Sequence, residues 1–515
     1  MKYFLTIFLT VTLLSACRQN TQDEPLKPIE ESVSYTEAFR PQYHFTPQEK
    51  WMNDPNGLVY HQGVYHLFYQ YYPDDIVWGP MHWGHAVSKD MLHWEHKPIA
   101  LYPDKNGYIF SGSAVVDTQN SSGFGSLENP PLVAIFTYHD DVKAKAGRHD
   151  FQTQGIAYSL DNGDTWTVYE DNPVIGNTDI HDFRDPKVFW HEDTQRWIMA
   201  LVAGDHAKFY ASDNLKTWTH LSDFGKDKGA HGGVWECPDL FKLPVDGTDE
   251  EKWVLFISIN PGAPHGGSGT QYFVGSFDGT TFTTDQTTEK WIDWGTDNYA
   301  GVTYNNTPGG ERLFIGWMSN WLYAQETPTE TWRSAMTLPR ELSLSKVNGE
   351  YVLKSKVFID VEKNSEDVFS RDAIPLDQNG QFNLVSSSLG TSEISFQMPN
   401  RDVEVYLSND EGDTLVVTYQ KDKKIFSLDR SRSGIVNFND AFGQKHNTSV
   451  PLLTSDSVNF QIFLDWSSIE IFLNDGLYSF TEIVFPKSPF NKLSIISDKN
   501  VKLTHFSVKN IHTIW

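Results

Sequence analysis

Three short acidic motifs stand far apart in this chain, and each offers a carboxylate close to a proline: Asn53-Asp54-Pro55-Asn56-Gly57, Arg184-Asp185-Pro186 and Glu236-Cys237-Pro238. Pro55 and Gly57 favour a tight bend, so Asn53 and Asp54 are expected where the chain turns just ahead of the apolar strand Leu58-Val59-Tyr60. A carboxylate fixed in direction suits a nucleophile or an electrostatic stabiliser, because misplacement by about an ångström costs orders of magnitude in rate. Taken alone, Asp-Pro-Asn-Gly is also an ordinary surface turn, and only the flanking Trp51 and Met52 argue against full solvation. Brought together, Asp54, Asp185 and Glu236 would suit glycoside hydrolysis. That reaction needs one carboxylate at the anomeric carbon and one carboxylic acid at the leaving oxygen, about 5 to 5.5 Å apart if configuration is retained. A third carboxylate against the sugar ring favours an oxocarbenium-like transition state and holds ring hydroxyls. Glu236, beside Trp235 and in the company of two other carboxylates, is the group expected to stay protonated near neutral pH.

For the three to meet, the fold must bring distant turns to one place. From about residue 42 the chain shows short alternating apolar runs broken by Gly, Asn, Asp and Pro, the pattern of an all-β protein. A polar turn leading into an apolar strand occurs five times, as Asn53-Asp54, Phe110-Ser111-Gly112, Arg184-Asp185-Pro186, Glu236-Cys237-Pro238-Asp239 and Asp297-Asn298-Tyr299. Four of the five are followed by a hairpin signature of Ser, Asp and an aromatic: Ser88, Asp90 and Trp94; Ser159, Asp161 and Trp166; Ser212, Asp213 and Trp218; Ser276, Asp278 and Phe282. A strand-built unit recurring at intervals of roughly 50 to 75 residues, too small to bury its own face, is the mark of a β-propeller blade. Five units predict five blades over 42–339, with the five turns converging at one mouth of a central channel. Residues 340–367 read as a linker. From 368 to 515, alternating strands such as Val403–Tyr406, Thr414–Val417 and Ile469–Phe472, with turns such as Asn474-Asp475-Gly476, predict a C-terminal β-sandwich.

Composition narrows the partners. A net charge of −26 with only 41 Lys and Arg opposes binding to nucleic acid or to an anionic membrane surface. The 17 Trp supply apolar faces suited to neutral sugar rings. At the amino terminus, Lys2 precedes a short apolar run that ends in Leu14-Ser15-Ala16-Cys17. This ending resembles a bacterial lipoprotein signal: residues 1–16 would be removed, Cys17 would carry lipid, and 17–41 would form a flexible tether. The expected location is the cell envelope of an exporting cell, with the membrane engaged only through that anchor. Cys237 would then be the sole remaining cysteine, with no intrachain disulfide.

The three motifs, in this order, resemble those of glycoside hydrolase family 32, the fructan-hydrolysing enzymes that include invertases, inulinases and levanases. The resemblance implies a nucleophile at Asp54, a transition-state stabiliser at Asp185 and an acid/base at Glu236. It further implies that Asn53, Gln70, Trp78, Phe110, Ser111, Arg184, Asp297 and Trp317 line the fructosyl subsite, that Cys237 packs beside the acid, and that no metal or organic cofactor is needed. In the carboxy-terminal region, Asp465–Phe472 and Asp429-Arg430-Ser431 resemble the family's sandwich and take a structural role. The pairs His82/His85 and His93/His96 fall in strand and hairpin sequence, where residues three apart point to opposite faces, so metal binding is not expected there.

The expected activity is a retaining, exo-acting hydrolase that releases fructose from levan, inulin or sucrose. Internal cutting and fructosyl transfer are its close rivals. A non-catalytic sugar-binding propeller is opposed by three like charges that a lectin has no use for. An inverting five-bladed arabinan hydrolase lacks the Asn-Asp-Pro-Asn-Gly setting.

Overall fold

The computed structural model describes residues 35–515. The expected signal segment, Cys17 and the tether up to residue 34 lie outside the described residues. Residues 35–41, assigned from sequence to the tether, are instead packed on the body. The buried Arg40 guanidinium donates to Thr46 Oγ1 at 2.9 Å and to the Pro47 carbonyl at 2.7 Å, and it lies 4.4 Å over the Trp332 ring. Tyr35 stacks on Trp515 at 4.0 Å.

The fold is a run of antiparallel sheets, five of four or five strands followed by two of six. Each of the first five begins with a strand at its inner edge: Lys50–His61, Tyr108–Val116, Phe183–His191, Val234–Pro244 and Tyr299–Thr303. Each inner strand contacts the next, and the fifth contacts the first, so the five close a ring around a common axis. Closure is reinforced where Lys50 and Trp51 pair in parallel with Trp332 and Arg333.

The hairpin signature joins the third and fourth strands of blades one to four. Asp90 Oδ1 accepts from the backbone of Leu92 and His93 at 3.0 and 2.9 Å, and Asp278 Oδ1 accepts from Thr280 and Thr281 at 2.8 and 2.7 Å. These bonds satisfy turn donors that no strand partner reaches. In the third blade Asn214, not Asp213, makes the cap.

The fifth blade corrects the sequence-based domain limits. Arg340–Val347 and Glu350–Val357, read as linker, are its outer two strands, paired to Leu313–Met318 through Leu313 and Glu341. Charged residues along these edge strands made them look like a bridge, whereas Leu342, Leu344 and Leu353 face the core. The sandwich strands begin at Ser365. Its two sheets enclose one apolar core that includes Leu389, Val405, Ile462, Ile471 and Leu503. Asn474, Asp475 and Gly476 all adopt positive φ in the four-residue loop between the paired residues Leu473 and Tyr478.

Two buried ionic clusters tie the domains together. Arg340 reaches Asp293 at 2.8 Å and Glu470 at 2.5 Å, and Arg430 reaches Asp297 at 2.6 Å and Glu482 at 2.7 Å.

Candidate active site

Four of the five polar turns seen in the sequence are, in three dimensions, β-bulges on the inner strands, and a fifth bulge lies just past the fifth turn. Register breaks fall between Met52 and Pro55, Ile109 and Gly112, Arg184 and Lys187, Glu236 and Asp239, and Tyr299 and Val302. Asp54 therefore sits inside a twelve-residue strand rather than in a loop before one. A bulge places an extra residue on one strand and re-aims its side chain. Here Asp185 at φ +67°, Cys237 at +44° and Ala300 at +54° occupy the left-handed region that such kinks use.

This shared kink turns the carboxylates to one mouth of the channel, where Asp54, Asp185 and Glu236 line a single cavity of about 450 Å³. Cys237 Sγ lies 3.6 Å from both Asp54 Oδ2 and Asp185 Oδ2, so those oxygens are at most twice that distance apart. The Arg184 Nε bridges a second pair, 3.2 Å from Glu236 Oε1 and 4.0 Å from Asp185 Oδ2.

Each carboxylate has its own supports. Asp54 accepts from Ser111 Oγ at 2.6 Å and from Asn53 Nδ2 at 2.9 Å. Asn53 is itself oriented, because its Oδ1 accepts from Trp51 Nε1 at 2.7 Å. Asp185 accepts from the Cys237 backbone N–H at 2.9 Å. Glu236 receives Arg184 Nη2 at 2.8 Å on one oxygen and the Tyr299 hydroxyl on the other. Arg184 is held in turn by Asp182 at 2.5 Å.

Burial pushes the Asp54 and Asp185 carboxyls above their ordinary range. Repulsion from Glu236 adds to the rise at both, while hydrogen bonds at Asp54 and the Arg184 charge at Asp185 oppose it. Glu236, expected from the sequence beside Trp235 and two carboxylates, also has the Arg184 guanidinium in direct contact, so its environment is not purely anionic. Burial and the neighbouring carboxylates push the Cys237 thiol up, which makes it a neutral donor.

Asn53, Gln70, Trp78, Phe110, Ser111 and Arg184 line the same cavity. Asp297 and Trp317 do not. The fifth bulge lies at Ala300 and Gly301, so Asp297 falls ahead of its strand and points to the sandwich, fully buried against Arg430, Tyr323 Oη at 2.6 Å and the Ile483 N–H at 2.9 Å. Trp317 is fully buried between Trp51 and Tyr299. The chain then leaves the strand, and it is Trp321, 4.9 Å from Trp317, that reaches the cavity wall. Sequence reasoning also missed His139, Phe151, Gln152, Asp182 and Gln325 in that wall. Asp182 stood two residues from Arg184 and could have been found as its counter-charge; the others carry no local signal.

Among the described residues, no group of three or more His, Cys, Asp or Glu is arranged to hold a metal ion. His93 Nδ1 pairs with Asp90 at 2.8 Å, and His85 stacks on Phe68 at 4.2 Å.

Comparison with known proteins bears on this geometry. The N-terminal domain model of glycosyl hydrolases family 32 matches residues 44–355, and the C-terminal model of that family matches 361–510. The chain belongs to glycosyl hydrolase family 32. Within the family it is 46% identical to a levanase of Bacillus subtilis over 94% of this chain and 72% of that one. It is 40% identical to an extracellular exo-inulinase of Aspergillus niger over 95% and 98% of the two chains. The crystal structure of exo-inulinase from Aspergillus awamori superposes with a TM-score of 0.85 at 37% identity, covering 93% of this chain and all of that one. The family 32 assignment accounts for the propeller followed by the sandwich and makes the protein a glycoside hydrolase.

Proposed function

We propose that this family 32 hydrolase cleaves β-fructofuranosidic bonds of fructans and sucrose with retention, acting from chain ends to release fructose. The observation that carries the reading is the convergence of Asp54, Asp185 and Glu236 in one cavity, with Asp54 held by Ser111 and Asn53 and Glu236 held by Arg184. Asp54 attacks the anomeric carbon as Glu236 protonates the departing oxygen, giving a covalent fructosyl–enzyme. Glu236 then deprotonates the water that breaks the ester. Asp185 accepts from ring hydroxyls and offsets the positive charge that develops on the ring. Levanase and exo-inulinase relatives support fructan as substrate. End-wise action is supported by the exo-inulinase relatives.

Replacing Glu236 by Gln tests the acid. Turnover of sucrose and fructan falls by about 10²- to 10⁴-fold, whereas an aryl fructoside with a good leaving group loses far less; equal losses on both substrates would refute the role. Product profiles on levan and inulin over time test the mode of attack: fructose alone from the first minutes fits exo action, and early oligosaccharides contradict it.

The exo-inulinase relatives are extracellular enzymes, and export fits this chain. We further infer that Cys17, following Leu14-Ser15-Ala16, anchors it through lipid to the cell envelope. The variant Cys17→Ala should move the enzyme from the membrane fraction to the soluble one; unchanged fractionation counts against the anchor.

A further inference from the structure

The channel has a second mouth, and a second cavity opens there. It measures about 510 Å³ and is lined by the far ends of the inner strands, at Val115 and Val116, Phe189 to His191 and Leu240 to Lys242, and by Asn305 and Asn306 beyond the fifth strand. Asp185 and His191 lie six positions apart on one strand, so this mouth is about 20 Å from the catalytic carboxylates. None of its lining residues belongs to the catalytic cavity.

Two features mark it as built to hold a ligand. Its wall carries the half-buried rings of Phe189, Trp190 and Trp253, with Trp253 5.7 Å from Phe189. Large aromatic faces left partly open at the end of a propeller channel are costly unless something covers them. Beside them Arg312 lies 5.0 Å over the Phe241 ring, with a buried Nε that has no partner and an Nη1 that makes only two long bonds of 3.4 Å. A buried guanidinium donor without an acceptor is rare and signals a missing oxygen. Gln119 adds an exposed amide at the rim, while the Asn305 amide donates to the Ala114 and Val188 carbonyls and that of Asn306 to the Tyr60 carbonyl, which fixes the wall. Aromatic faces joined to amide and guanidinium donors match a neutral polyhydroxylated ring. The protein's net charge of −26 disfavours a polyanion.

We propose that this far mouth is a non-catalytic fructan-binding site, which engages a second stretch of the polymer whose chain end is attacked at the first mouth. The proposal rests on the fructan reading given above for the substrate class. A polymer held at two places has a raised effective concentration at the catalytic pocket, and a substrate of one or two sugars gains nothing.

The test uses Asp54→Asn protein, which cannot turn over substrate, run in native gels containing levan or inulin with saturating fructose to fill the catalytic pocket. Retardation persists under fructose, and is lost when Trp253→Ala or Gln119→Trp is added. The first change removes an aromatic face; the second fills the rim from an exposed position and keeps the test decisive if the first lowers stability. In the active enzyme the same changes lower kcat/KM on polymer by about 3- to 10-fold and leave kcat/KM on sucrose unaltered. Retardation that survives both changes, or polymer and sucrose rates that fall together, overturns the proposal. Failure to hydrolyse any fructoside would instead refute the substrate reading, while gel retardation would still report on the site.

Discussion

Asp54, the proposed nucleophile, is tuned by the groups that surround it. Burial and the Glu236 charge raise its pKa, and donation from Ser111, Asn53 and the Cys237 thiol pulls it back. The nucleophile works ionised, so any lost donor moves its pKa further up and shifts the acidic limb of the kcat/KM profile to higher pH. For Ser111→Ala we expect this upward shift, together with a loss of about 1.5 to 3 kcal/mol, the cost of a hydrogen bond to a charged group. That is roughly a ten- to hundredfold fall in kcat/KM at the optimum. A pH–rate profile checks both, and a limb that stays in place would show that Asp54 does not titrate in that limb. Tyr299 belongs to the same set, since its hydroxyl serves Glu236. It was invisible in the sequence, where a tyrosine beside Asp297 has no acidity or spacing to single it out.

The bulges are the elements on which the chemistry depends. Four of five were legible in the sequence as polar turns, because Pro or Gly beside a polar residue signals a local kink whether it lies in a loop or in a strand. What the pattern could not give was the strand pairing around each kink, which decides where the bulge falls. That uncertainty displaced the fifth position by about three residues, making Asp297 look like a subsite residue when the ladder places the kink at Ala300 and Gly301. Pairing also hid the last two strands of the fifth blade, whose partners are distant in sequence. At the second bulge, Gly112 has no room for a side chain: a Cβ there would lie 2.0 Å from the Ile135 carbonyl oxygen and 2.7 Å from Phe136 Cα. We therefore expect Gly112→Ala to cost about 2 to 3 kcal/mol of stability through overpacking, and to lower activity disproportionately because Ser111 is the next residue. Denaturant titration alongside kinetics separates the two effects. Normal activity in a merely destabilised variant would mean that the bulge does not set the position of Ser111.

At the scale of the whole molecule, the sandwich holds the propeller through buried charges. Removing Arg430 as Arg430→Met strands Asp297 and Glu482 without their cation, and we expect about 3 to 5 kcal/mol of destabilisation with KM unchanged. A rise in KM without loss of stability would return Asp297 to the sugar site. The N-terminal entry to the propeller is fastened similarly. Asp465 accepts from the backbone of Gln42 and Tyr43 at 2.8 and 3.1 Å, and His44 is clamped between Asp465 at 2.8 Å and Glu470 at 3.0 Å. Burial alone would depress the His44 pKa, yet these two carboxylates raise it to about 9. In the unfolded chain it lies near 6.5. A folded-state pKa above the unfolded one means that the stabilisation is complete below about pH 6.5 and drains away as pH rises towards about 9, amounting to about 3 kcal/mol at its fullest. Burial pushes the Glu470 pKa up, but Arg340 and then His44 outweigh it, so that it is lowered in the folded state. Its own contribution therefore fades on the acid side and does not mask the alkaline loss. Comparing wild type with His44→Gln by thermal unfolding across pH 6 to 9.5 isolates the term: the gap in stability should be widest at the acid end and close towards pH 9.5. A gap that stayed constant across that range would show that His44 is neutral in the folded protein and that the clamp is made by hydrogen bonds alone.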